Sequence, residues 1–264
     1  MKLTEQPLAS GIPPMKAVGL KFTFFQRHSL KARITLFTLF VFLLTIWSLA
    51  LFVSHLLRQN MQQMVGEQLF STVSVLAKSL NDEIKNKQTA LTLIAAEIDA
   101  PLLGQPAALQ ARLEERPLLQ LLFNTGTFVT DVNGTAVASL PVSANRLGVN
   151  YLDRDHVAKA LKEGKTILSQ PLISKKLQIP VIALSTPVHD RRGVVIGALV
   201  GVTDLRRPNF LDKVVQQAYG KTGGYVIAAP KPRLVVTATD KTRILTAFPA
   251  PGVNPLFDRY LEGY

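Results

Sequence analysis

FVTDVNGTAVAS, residues 128–139, is the stretch on which the reading of the fold turns. Two short runs of strand character flank Val132-Asn133-Gly134-Thr135, and Asn-Gly between such runs marks a tight β-hairpin. N-terminal to the hairpin the chain has helical spacing or helix-ending prolines; C-terminal to it, much of the chain has the character of strands. Asn133-Gly134-Thr135 also fits the N-glycosylation pattern, but the turn accounts for the same residues.

Working back from the hairpin, 101–117 reads as short helices with breaks, and Asp99-Ala100-Pro101 ends a longer element. Residues 58–98 hold no proline. Within them Leu69, Val73, Leu76, Leu80, Ile84, Leu91, Ile94 and Ile98 follow steps of three and four, with Lys87 the single polar interruption. This spacing predicts one amphipathic helix of about 40 residues. Such a rod can pair with a copy of itself or carry one edge of a domain.

Further back lies ITLFTLFVFLLTIWSLALFVSHLL (34–57), which has no Lys, Arg, Asp or Glu. As a helix it extends roughly 36 Å, enough to cross a hydrocarbon core of about 30 Å with some tilt. Its Ser and Thr hydroxyls can be satisfied within a helix, and Trp47 lies too deep in the run to act as an interface anchor. Arg27, His28, Lys31 and Arg33 crowd its N-terminal side, whereas Arg58 alone comes closely after it, which puts the N-terminus in the cytoplasm and the rest outside. Ser48-Leu49-Ala50 imitates a signal-peptide cleavage site, but the apolar run and its basic leader are both longer than a signal peptide has. A signal anchor fits better, as it also does against a buried core helix.

Working forward, 147–156 runs into a helix at 156–163, which Asp153 or Asp155 can cap and Gly164 stops. A short strand comes next at 166–169. Residues 181–188 and 194–202 are nearly all apolar, as strands in the middle of a sheet covered on both faces are. A helix is expected at 209–219, then a glycine-rich run to residue 224, strands at 225–229 and 234–238 around Pro230 and Pro232, and a last helix including 258–261. Gly223-Gly224 is not a phosphate loop, since that pattern is absent and a strand, not a helix, comes after it.

The 264 residues are 47% hydrophobic, and one long apolar segment accounts for that excess. The net charge is +12, but six Lys/Arg fall in 1–33 against Glu5 alone and the remainder is of mixed sign. With no basic run interleaved with aromatics, nucleic-acid binding is set aside. There is no cysteine, which removes disulfides, thiolate catalysis and Cys-based metal sites. H-E-x-x-H and G-x-S-x-G are absent, so no catalytic residue is assigned. His156 and His189 lack metal-ligand spacing, and neither metal nor cofactor is expected.

In the order and spacing of these segments the chain resembles the double Cache family, the PAS-like extracytoplasmic sensor domains of bacterial transmembrane receptors. Four stretches carry the likeness: FVTDVNGTAVAS (128–139), LGVNYLDRDHVAKALKEGKTILSQP (147–171), PVIALSTPVHDRRGVVIGALVGVTDL (180–205) and YGKTGGYVIAA (219–229). The second is similar to the family's G-x-N-Y-x-x-R-D-x-F-x-x-A-L-x-x-G-K run, and the fourth to the strand that opens its membrane-proximal module. The tail KTRILTAFPAPGVNPLFDRYLEGY (241–264) is similar to sensors attached to diguanylate cyclase (GGDEF) modules. Histidine kinases and chemoreceptors use the same sensor.

The resemblance implies an α+β fold: a transmembrane helix continuing into a long amphipathic helix, then a PAS-like antiparallel sheet module and the beginning of a second one. The expected divisions are a cytoplasmic arm (1–33), the transmembrane helix (34–57), the long signalling helix (58–98), a membrane-distal module (99–207) and an incomplete membrane-proximal module (208–264). A fragment of a longer receptor is expected, ending before its second sheet is complete and before a second membrane helix and an output domain. The implied location is a bacterial inner membrane with the sensor periplasmic or extracellular. The implied partners are a small ligand, the membrane and a second copy through the long helix. An anchored binding module without signalling output is the competing reading.

In the family the distal module holds the ligand between its sheet and the loop and helix around Y-x-x-R-D. Carried over, this points to Tyr151, Asp153, Arg154 and His156, with Asp131, Ser169, Ser185 and Asp204 as additions from neighbouring strands. The set suits a small anion or zwitterion, since Arg154 offers a planar fork to a carboxylate and an Asp can accept from an ammonium group. The amino-acid-binding branch has R-x-W-Y where this chain has Arg154-Asp155-His156-Val157, so an amino-acid ligand is not expected. Structural roles compete: Asp153 and Asp155 as caps, Arg154 as their ion-pair partner, Tyr151 as core.

Overall fold

The computed structural model describes residues 30–212 and 224–263. Most of the expected arm, residues 213–219 of the helix expected at 209–219, and the glycine-rich run through 223 lie outside them. The chain divides into two compact units, Met1–Leu69 and Phe70–Tyr264. Helix α1 (Leu30–Ala95) contributes to both.

In the first unit every residue from 30 to 61 is exposed. Among the described residues α1 is the one helix long and apolar enough to cross a membrane. The hydroxyls of Thr35, Thr38 and Thr45 donate back to the carbonyls of Lys31, Ile34 and Phe42, at 2.7, 3.1 and 2.8 Å. These three hydroxyls are thereby satisfied within the helix.

In the second unit the apolar stripe of α1 is buried only from Leu76 onward: Leu91 is fully enclosed, whereas Val73 remains exposed. Next come three short helices, α2 (Ala100–Leu103), α3 (Pro106–Glu114) and α4 (Pro117–Leu122), each with a proline in its first turn. Proline is tolerated there because the first helical N–H groups have no intrahelical partner.

Strands β1 (Thr127–Asp131) and β2 (Ala136–Leu140) form the hairpin. Helix α5 (Asp155–Glu163) leads to β3 (Ile167–Leu168), β4 (Leu172–Ile173) and the ten-residue strands β5 (Pro180–His189) and β6 (Val195–Asp204). The spatial order is β2-β1-β6-β5-β3, with β4 also on β5, and every pairing is antiparallel. The hairpin is thus completed by the far end of the module: β1 pairs with β6 from Thr127↔Gly201 to Asp131↔Gly197.

The two faces of this sheet have different cover. Val129, Ala138, Leu184 and Leu199 meet Leu91 and Ile94 of α1 and Leu109, Leu113 and Leu119 of the short helices. Phe128, Val181, Ala183, Val200 and Val202 point the other way, against Tyr151 and Val157. Strands β5 and β6 are therefore buried on both sides, as their apolar runs require. A second hairpin, β7 (Val226–Ala229) with β8 (Leu234–Ala238), stands as a separate two-stranded sheet. Its Ala229 and Val236 share a core with Ile182, Leu205 and Leu211. Helix α6 (Pro255–Glu262) begins at Asn254, whose side chain accepts from Phe257 N–H.

One local expectation is corrected. Neither Asp153 nor Asp155 caps α5; Arg154 is the N-cap residue and makes no side-chain cap bond. The Asp153 carboxylate is taken instead by Lys175, 3.0 Å away. Gly164 does end α5 in the left-handed conformation, φ 63°.

Candidate functional site

The second face of the sheet is covered by the segment between β2 and α5. Its backbone is pinned along the hairpin: Ala136 N–H donates to Val149 O at 2.9 Å, Gly148 N–H to Ala136 O at 2.8 Å and Tyr151 N–H to Gly134 O at 2.8 Å. The Asn150 side chain adds a bond to Asn133 O at 2.7 Å. Gly134 is needed twice over here. Its φ is +77°, and a Cβ would lie 3.0 Å from Leu152 N, so the Asn-Gly turn both closes the hairpin and admits the crossing segment.

This arrangement sets Tyr151 on the sheet, its ring 4.5 Å from that of Phe128. Burial pushes the Tyr151 phenol above its ordinary pKa, while Arg146 and Arg154 pull it back. One turn later His156 is buried, and its Nδ1 lies 2.7 Å from Ser185 Oγ on β5. Burial, helped by Arg154 and opposed by Asp155, pushes the His156 pKa down to about 4. At neutral pH the ring is uncharged and exchanges a hydrogen bond with Ser185. Arg154 is partly exposed at the mouth, 3.9 Å from the Asp153 carboxylate, a loose ion pair.

Tyr151, Arg154 and His156 line one cleft, with Phe128, Val181 and Val202 as its floor and Leu172, Ser174 and Lys175 on the far rim. Its free space is about 30 Å³, room for a water or two, so a larger guest must part the covering segment from the sheet. Ser185 stands behind His156. Asp153 sits outside the lining, more than half exposed.

Three expected residues lie elsewhere. Asp131 accepts from Thr135 N–H at 2.8 Å within the hairpin turn. Ser169 accepts from Ala183 N–H at 2.8 Å and donates to Gln170 O at 2.7 Å, which ties β3 to β5. Asp204 is buried at the end of β6, accepts from Arg206 N–H at 2.9 Å and pairs with the Arg206 and Arg207 side chains. It lines a different, larger cavity of about 480 Å³ beside Asn124 and Thr125. That cavity is the roomier of the two, but its buried carboxylate, Asp204, already pairs with both of its arginines.

The residue that the sequence does not disclose is Arg146, which also lines the cleft. It is 2% exposed. Its Nη2 donates to Thr125 O at 2.9 Å, its guanidinium carbon is 5.5 Å from the Phe128 ring, and its Nη1 finds no acceptor among the described residues. Burial lowers its pKa from the ordinary arginine value, yet a guanidinium keeps its charge in proteins. Leaving such a donor buried and unmatched costs about 1–3 kcal/mol or more. Nothing in Asn145-Arg146-Leu147-Gly148 signals burial, since the segment has neither helical nor strand period.

No protein-family model matches the chain, and no curated protein does. Solved structures do match. An extracellular ligand binding receptor from Desulfohalobium retbaense superposes with a TM-score of 0.56 and 17% identity, over 73% of this chain and 34% of that one. This chain thus spans about a third of that receptor's length. The ligand-binding domain of the Pseudomonas aeruginosa amino acid chemoreceptor PctC, in complex with GABA, gives 0.56 and 18% over 72% and 85% of the two chains. The sensor domain of the Vibrio cholerae histidine kinase DctB gives 0.53 and 16% over 76% and 78%. The fold is one shared with extracellular sensor domains. At this level the α+β expectation, a long helix followed by an antiparallel sheet, agrees with the structure.

Proposed function

We propose that this chain is the membrane-anchored, extracytoplasmic sensor region of a receptor, with a small ligand bound in the cleft of Tyr151, Arg154 and His156. The observation that carries the reading is the division of the sheet's faces: the cleft lies on one and α1 packs on the other. A guest that parts the covering segment from Phe128 and Val202 disturbs strands whose alternate side chains touch α1. That helix is the route by which the shift reaches the membrane. Residues 34–57 are the proposed span and the basic arm its cytoplasmic end. The proposed division into 99–207 and 208–264 accords with the two separate sheets.

The ligand proposed is a small acid. Neighbours in complex with amino acids share the fold, but Arg154-Asp155-His156-Val157 lacks the aromatic pair of that branch, and amino acids are not carried over. No catalysis is proposed within these residues. For the output, a diguanylate cyclase is favoured because of the resemblance of 241–264, with a histidine kinase or chemoreceptor as the second reading. A homodimer is proposed along α1, where Met64, Phe70 and Val73 are exposed. The cleft is tested by Arg154→Ala: loss of one charge-assisted contact weakens the response to a bound acid about tenfold or more. Unchanged affinity in calorimetric titration removes Arg154 from the site.

A further inference from the structure

We infer that Arg146 is the buried anion-binding group of this cleft, and that its ligand is a compact acid carrying two negative charges. The inference rests on the proposed sensor role and names the ligand class of the same site.

Arg146 already spends one arm on the protein, through Nη2 to the Thr125 carbonyl, and the Phe128 ring covers its guanidinium. The residue is thus held at the cleft while Nη1 has no acceptor among the described residues. A held, charged, buried donor is what an oxyanion site consists of before its guest is considered. The balance of charge sets the guest's class. Arg146, Arg154 and Lys175 all line the cleft, and among the described residues no carboxylate does. Asp153, outside the lining, answers one of the three by its bond to Lys175. His156 contributes no charge near neutral pH, because burial holds its pKa at about 4. Two positive charges therefore remain to be matched. Two carboxylates on a short carbon linker do this, with the linker on Phe128, Val181 and Val202. So does a single phosphate.

The test uses the full chain in detergent, with malonate, inorganic phosphate and acetate as probes in thermal unfolding and calorimetric titration. Malonate or phosphate is expected to raise the unfolding temperature more than acetate does. A response to malonate alone assigns a dicarboxylate, and one to phosphate alone a phosphoryl group. Arg146→Gln is expected to weaken the responding dianion about ten- to a hundredfold. Absence of any shift with either dianion overturns the inference, as does acetate binding equally well. If Arg154→Ala loses the dianion and Arg146→Gln keeps it, Arg146 is refuted and the sensor reading stands. If both variants bind as the parent does, the ligand lies elsewhere and both readings fall. Should Arg146→Gln not fold, Arg146→Lys decides: about tenfold weaker binding is expected from loss of the fork, and unchanged affinity refutes the guanidinium.

Discussion

His156 shows how far burial can move one side chain on the cleft. Its pKa of about 4 stands below the ordinary 6.5, with desolvation as the first cause, Arg154 as the second and Asp155 opposing. The depressed value means that the folded state resists a proton which the unfolded chain accepts. Stability from this group is therefore complete above about pH 6.5 and declines as pH falls toward 4, by about 3 kcal/mol in all. Denaturant unfolding near neutral pH and near pH 4 should show this loss, and His156→Gln should flatten it. An unchanged slope in the variant would assign the acid sensitivity to other groups. Legibility in the sequence differs sharply among neighbouring residues here. Tyr151, Arg154 and His156 are legible because they share one short segment. Asp153 is legible as a polar residue of that segment but not in its role, since its partner Lys175 comes from beyond β4, a contact that local spacing does not encode. Arg146 is not legible at all, because a lone cation in an irregular segment looks solvated until the tertiary fold encloses it.

At the scale of elements, strand glycines decide how closely the layers approach. A Cβ on Gly201 of β6 would fall 2.5 Å from the Phe123 ring, and Phe123 is itself buried in the core between the sheet and α1. Lys87 of α1 closes the same spot: its ammonium lies 5.1 Å from the Phe123 ring centre and donates to Leu122 O. The Gly201 side and the Lys87 side of the ring are thus both occupied. Gly201→Ala is expected to destabilise the domain by about 1–3 kcal/mol, read as a lowered midpoint in denaturant, and Phe123→Leu in the same chain should recover part of it. A neutral Gly201→Ala would mean that the layers can part there without cost. The hairpin and β5–β6 are legible because turn chemistry and unbroken apolar runs are local signals. Strand β4 is not, since two residues carry no period and its existence depends on pairing with Val181 and Pro180. The polar break in the α1 stripe at Lys87 is visible in the sequence, but its reason, two aromatic rings and a carbonyl brought from distant segments, is not.

For the whole molecule, the proposed sidedness has one physical source, the cost of moving the basic arm across a bilayer while one arginine lies just beyond the span. The absence of cysteine makes this directly testable, because any introduced thiol is unique. Gln6→Cys lies in the arm and Lys159→Cys on α5, where the lysine side chain is 54% exposed. In intact cells a membrane-impermeant maleimide should label position 159 and reach position 6 only after lysis. The reverse pattern would put the cleft in the cytoplasm and sink the extracytoplasmic reading, while leaving the fold untouched. The same strategy reads the proposed pairing. Val73 is half exposed on α1, and in a chain of otherwise thiol-free sequence a Val73→Cys disulfide can arise only between two copies. Its formation under mild oxidation would give α1 a partner to move against, which a sensor needs if a shift on one face of a sheet is to become a displacement at the membrane. A chain that stays uncross-linked at Val73 while position 159 labels from outside would keep the anchored binding module as the better account, with ligand capture and no transmitted motion.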